Sequence, residues 1–500
     1  MMIRIKDLEC YQKATEEQKN NRLVRPESGF DLSKLNSAVL QAEMEEYVFY
    51  RGTRISLSSA RTELGQYNQF CRAMNEILPA DASIMDLDWH ELELRCRKWL
   101  AKNNLPAYTK KKKLDRVQES TVSAPLITYT RAVFIYFSEK GRKHDFDDDI
   151  WYIDRLGVKV SKNPIQHVSS ISFLEISQEP LRSEIKRIMK IQMREEEKAL
   201  GTITKEMTSV KRLSRWLAGS RPEIDSLKKL DRYIIEEYLR YINLEATDRK
   251  DYSKDLCHLK SVLMSFSMIT GEREIGNLII NTDIPRSEEA LYKSYSDDEI
   301  RRLNKVIMSE VDEQIARALR LHQMLGTRIS ETLTLKRCNV KKSRTGKDTM
   351  TIYQIKSQKY YDKMLSPEMK CLIEESIRYT EERFGVREYI FVNEKKPDEP
   401  MTYHRIKYAM KKIIIQYDLR DDHGERFTVG THKWRHTYAR KLAEMDVDDM
   451  TIASMLGQSG TSSLKHYRKI APKILAEKTK EVRQELSEEI KKIMEIWDDE

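Results

Sequence analysis

Between His432 and Tyr467 the sequence reads HKWRHTYARKLAEMDVDDMTIASMLGQSGTSSLKHY, and His432, Arg435 and His436 near its start carry groups that can handle a phosphate. His432, Arg435 and His436 stand three and four positions apart, so a helix presents them on one face to one ligand. Arginine matches phosphate oxygens with a permanently charged fork, and histidine donates a hydrogen bond or takes a proton near neutrality. Tyr467 ends the stretch behind a polar loop of Ser, Gly and Thr. A tyrosine hydroxyl, with an ordinary pKa of about 10, attacks phosphorus only where cations or a base assist it. Asp446 to Leu456 reads as a short helix closing on Gly457, with Asp446, Asp448 and Asp449 as capping residues rather than metal ligands.

A second cation lies upstream in LHQMLGTRISETLTL, residues 321–335. Ile315, Leu319, Leu325 and Ile329 follow a buried helical period that breaks at Gly326. Arg328 emerges after the break, and Glu331, three residues on, is spaced to orient it.

With these residues in view, the C-terminal part resembles the catalytic domain of the tyrosine recombinases, the phage-integrase and Xer-like site-specific recombinases. GTRISETLTL resembles the segment of their first arginine, HKWRHTYA their His-x-x-Arg-His box, and LGQSGTSSLKHY the segment ending in their nucleophile. Gln458 follows Arg435 by 23 positions and Tyr467 follows Gln458 by 9, as in that family. The resemblance implies that Arg328 and Arg435 clamp the scissile phosphate, that His432 assists proton transfer with His436 beside it, and that Tyr467 becomes the covalent phosphotyrosine. It also implies a catalytic lysine on a β-hairpin between the two arginines, protonating the leaving 5′ oxygen. TMTIYQIKSQKYYDKMLSPEM supplies the strand-forming residues, the polar turn, and Ser366-Pro367 to open the next helix. Anchoring on that helix start selects Lys356, and anchoring on the proline selects Lys359. The chain departs from the family at Gln458, where a histidine or tryptophan is expected: an amide can donate to a phosphate oxygen but cannot exchange a proton.

Composition bounds the rest. In 500 residues, 89 Lys and Arg against 80 Asp and Glu give a net charge of +9, which favours a polyanion through counterion release. No apolar run reaches the length of a membrane span, no Walker loop or Cys/His metal spacing occurs, and the start does not read as a secretory signal. Six cysteines without paired spacing fit a reducing cytoplasm. No cofactor and no metal are therefore expected.

The expected fold is mainly α with a small β-hairpin or sheet, in several domains. Residues 1–190 form a helical accessory region, with Leu64, Tyr67, Phe70, Met74 and Ile77 as a buried stripe and Lys110, Lys111, Lys112 and Lys113 as candidate DNA contacts. Residues 195–285 form amphipathic helices (Val210, Leu213, Leu217; Ile234, Ile235, Tyr238, Leu239, Ile242) that resemble a core-binding domain closing on DNA. Residues 286–295 read as a linker, 296–470 as a mixed α/β catalytic domain opened by a Ser-x-x-Glu capping box at Ser296, and 471–500 as a terminal helix for protomer contacts. The implied function is site-specific DNA recombination for integration, excision or transposition of a mobile element. The partners expected by resemblance are double-stranded DNA, a dimer per site, a tetramer in synapsis, and accessory proteins. The competing readings are a type IB topoisomerase-like enzyme and a non-catalytic DNA-binding regulator on the same fold.

Overall fold

A computed structural model describes residues 1–461 except 15, 112–119, 143, 162, 167, 247–250, 286–293, 343–345 and 459. Tyr467, the terminal helix expected over 471–500, and Lys112 and Lys113 lie outside the described residues. Among the described residues, no helix is long and apolar enough to cross a membrane.

Three large apolar clusters organise the chain. The first gathers buried residues from Ile3 to Val133. It joins a two-stranded pair, β1 (Met2–Arg4) with β2 (Gly29–Asp31), to short helices α1 (Glu9–Gln12) and α2 (Glu16–Lys19) and to α3 (Ala38–Gly52), α4 (Leu57–Ile77), α5 (Trp89–Lys102) and α6 (Pro125–Ser138). In α4 the expected stripe forms: Tyr67, Phe70 and Met74 are buried, and Leu64 and Ile77 pack at its margin. Lys110 and Lys111 close strand β3 (Tyr108–Lys111), which pairs with β4 (Ser120–Ser123).

The second cluster runs from Trp151 to Ile279 and corrects a boundary. Strands β5 (Ile150–Tyr152) and β6 (Ser170–Ser172) and helix α7 (Glu179–Arg194) share a core with α8 (Leu200–Ser220), α9 (Arg232–Leu244), α10 (Ser253–Thr270) and the short α11 (Arg273–Gly276). The apolar division thus falls between Val133 and Trp151, not at 190–195: α7 buries Leu181, Ile185, Ile188, Met189 and Met193 against the following helices. The amphipathic faces expected in α8 and α9 are the buried ones.

The third cluster begins at Tyr295, apart from Ile165 contributed by the central lobe. Tyr295 is buried, and its amide donates to Thr437 Oγ1 at 2.8 Å, so the last residue assigned to the linker belongs to this core. Ser296 then caps α12 (Asp297–Glu310) with the reciprocal Ser–Glu299 capping box. Next come α13 (Glu313–Leu325), the one-turn α14 (Ile329–Leu333) and an antiparallel sheet of β7 (Val340–Lys342), β8 (Asp348–Gln354) and β9 (Lys359–Met364). Ser366 caps α15 (Pro367–Phe384), with Pro367 at its first turn. The β10 (Val392–Asn393) and β11 (Lys396–Pro400) hairpin leads to α16 (Tyr403–Gln416), α17 (Thr431–Glu444) and α18 (Asp449–Met455). Asp448, not Asp446, is the N-cap of α18: its carboxylate accepts from the Thr451 amide at 2.9 Å, while Asp446 sits in a left-handed turn at φ 58°.

Candidate active site

Helix α17 carries its cations as its period requires. Trp434, Thr437 and Ala439 face the core, and Arg435 enters between them, 3% exposed. Arg435 Nη1 donates to the Gly326 carbonyl at 3.1 Å and Nη2 to the Leu456 carbonyl at 2.7 Å. One guanidinium therefore ties the turn after α13 to the end of α18. Both anchors end in left-handed glycines, Gly326 at φ 61° and Gly457 at φ 63°. A Cβ on Gly326 would meet the Tyr438 ring at 2.3 Å, so the close approach of α13 to α17 requires glycine.

The break at Gly326 aims Arg328 at the same place. Arg328 is the N-cap of α14, and Glu331, buried, accepts from its amide at 2.9 Å and its Nη1 at 2.7 Å. Glu331 also lies 3.9 Å from Arg435 Nη1 and accepts from the Tyr361 hydroxyl at 3.3 Å. A buried carboxylate needs such partners, and here its partners are the cations of the site. The Arg328 side chain keeps 27% of its surface exposed, which leaves part of its fork for a ligand.

His432 is half-buried one turn before Arg435. Burial, then the charges of Arg435 and Arg328, hold it below the ordinary histidine range, and Lys356 adds to that push. The charge of Lys356, exposed in the β8–β9 turn, therefore reaches the site. Lys359, its rival, opens β9 opposite Gln354 and is exposed. His436, its ring 5.9 Å from that of His432, is pushed down to about 4 by burial and by His432 and Arg435. Both histidines are thus neutral near pH 7, able to take a proton rather than bring one. Gln458 follows the α18 end, its backbone N–H donating to the Ala453 carbonyl at 2.8 Å.

Four contributors were not singled out in the sequence. His322, buried in α13, accepts from the Thr332 hydroxyl through Nδ1 at 3.1 Å and donates to the Thr431 carbonyl through Nε2 at 3.1 Å. It bolts the first-arginine segment to the start of α17, and burial lowers it to about 4. Gln354 Nε2 donates to the Gly457 carbonyl at 2.6 Å, fixing the hairpin to the α18 end. Tyr361 and Lys363 point inward from β9, opposite Ile352 and Met350. Alternation along KYYDKM pairs the last two on one face but does not say which face meets the core.

The depressed histidines set a pH dependence. Unfolded histidine takes its proton near the ordinary 6.5, whereas folded His322 and His436 resist it to about 4. Their contribution to stability is present above 6.5 and is lost as pH falls through that window. Thermal unfolding should show a melting temperature falling between about pH 6.5 and about pH 4, less steeply in His322→Gln. An unchanged slope in that variant contradicts the assignment.

Two guanidinium groups converge beside the histidines and are backed by one buried carboxylate, an arrangement that could hold an oxyanion such as a phosphodiester. Residues 293–473 match the model of the phage integrase family. Transposase B from transposon Tn554 of Staphylococcus aureus (strain Mu50 / ATCC 700699) is 21% identical over 460 residues, covering 90% of this chain and 71% of that protein. Tyrosine recombinase XerA of Thermococcus kodakarensis is 27% identical over 189 residues, 37% of this chain and 61% of that protein. Among solved structures, XerH site-specific recombinase bound to palindromic difH substrate aligns with a TM-score of 0.45 and 18% identity, covering 61% of this chain and 91% of that one.

Proposed function

We propose that this chain is a site-specific DNA recombinase that cuts and rejoins DNA through a 3′-phosphotyrosine, serving integration, excision or transposition of a mobile element. The observation that carries the reading is the buried Arg435, held between the Gly326 and Leu456 carbonyls beside Arg328 and His432. The family segment and the resemblance to a transposon's transposase support it.

In this reading the scissile phosphate sits on Arg328 and Arg435, whose charges grow more favourable as negative charge builds on its non-bridging oxygens. The phenolic oxygen of Tyr467 attacks phosphorus and yields its proton to neutral His432. The bond from phosphorus to the 5′ oxygen breaks, and Lys356 delivers a proton to that oxygen. Attack by the 5′ hydroxyl of another strand reverses the sequence, so one phosphodiester is exchanged for another with no input of ATP. Glu331 holds the two arginines in register, and Gln458 donates to the phosphate without moving a proton. DNA would be held by a dimer at each site and a tetramer at synapsis, the terminal helix linking protomers.

A suicide substrate nicked near the cleavage point tests the proposal, because the short released strand diffuses away and strands a protein–DNA adduct. The adduct is expected, and two-site substrates should give exchanged strands. Relaxation without exchange would favour a topoisomerase, and binding without an adduct would leave a regulator. Gln458→His should keep cleavage within about threefold, since imidazole also donates to phosphate. A variant that binds DNA normally yet fails to cleave would show the position to be more constrained.

A further inference from the structure

We propose that Lys363 is a positioning residue of this site, a cation set behind the two arginines that fixes the turn from which both are aimed; the inference rests on the recombinase reading above. Lys363 occupies an inward position of β9, opposite fully buried Met350, where an aliphatic side chain would complete the apolar sheet face. Its ammonium instead donates to the Leu325 carbonyl at the end of α13. The next carbonyl, that of Gly326, accepts from Arg435. Two consecutive carbonyls at one helix terminus are thus held by cations from two different elements. Arg328 stands two residues further on, so the geometry of the turn is the geometry of the clamp.

The surroundings point the same way. Lys363 Nζ lies 4.6 Å from the centre of the Tyr438 ring, the ring that closes against Gly326. Arg435 from α17 and Glu331 from α14 are the charged groups that act on it, one opposing and one favouring its charge. Burial, then Arg435, lowers its pKa from 10.5 to about 7. A buried amine so placed costs stability, and a methionine of similar length would avoid that cost. What the amine supplies is a charge close behind Arg435 and a donor stronger when protonated. Both favour a site in which negative charge builds on phosphate.

Single-turnover cleavage of the nicked substrate by Lys363→Met tests this. Near pH 6, where the wild-type amine is protonated, the variant should cleave about 10- to 100-fold more slowly, with DNA affinity within about twofold. The wild-type advantage should shrink near pH 9, where the amine is neutral. The stability linked to this amine is present above 10.5 and is lost as pH falls through about 7, so the variant should melt no lower than wild type near pH 6. Should the methionine variant not fold, Lys363→Gln, which keeps a donor without charge, should lose the same pH-dependent part of the rate. Equal cleavage at both pH values, or a loss that is independent of pH and matched by unfolding, would overturn the role of Lys363 alone. Absence of any adduct with the wild-type chain would overturn the recombinase reading and this inference with it.

Discussion

Arg435→Gln should lose at least about 10³-fold in the rate of DNA cleavage, because in the proposed mechanism it removes a preorganised charge from beside the phosphate. It should also melt several degrees lower. Arg435 is 3% exposed, and its removal leaves the Gly326 and Leu456 carbonyls short of a donor inside the protein. Each such group costs about 1–3 kcal/mol. Arg328→Gln gives the instructive contrast. Its side chain is 27% exposed and pairs with Glu331, so cleavage should fall comparably while the melting temperature moves little. Single-turnover cleavage and thermal melts on the two variants separate the roles. Near-wild-type cleavage by Arg435→Gln would remove the arginine clamp from the account.

Tyr467→Phe has the other large expected effect. Loss of the phenolic oxygen leaves no atom to bond phosphorus, so the trapped adduct should fall below detection. The hydroxyl contributes none of the cationic contacts that carry most DNA affinity, so gel-shift binding should hold within about twofold. An adduct that persists moves the nucleophile to another residue.

Much of this arrangement is legible in the sequence. The 3.6-residue period set His432, Arg435 and His436 on one face, and the breaks at Gly326 and Gly457 are left-handed helix ends. Ser296, Ser366 and Asp448 cap the helices their short polar side chains announce. Local chemistry decides such features. Others depend on which surface meets which. Helix α7 has an apolar stripe that any neighbouring core could accept, and only packing assigns it to the central cluster. Tyr295, read as linker, is claimed by Thr437 across 142 residues. His322 in an apolar helix carries no sign of its partners Thr332 and Thr431. Lys363 reads as a solvated strand lysine until its register with Met350 turns it inward.

The central claim is that DNA is joined for a moment to the hydroxyl of Tyr467. Digesting the adduct trapped on a nicked substrate and sequencing the nucleotide-bearing peptide by mass spectrometry addresses it most directly. The expected product is the LKHYRK region carrying a nucleotide 3′-phosphate on Tyr467. A nucleotide found on any other residue, or cleaved strands with no protein attached, would contradict it.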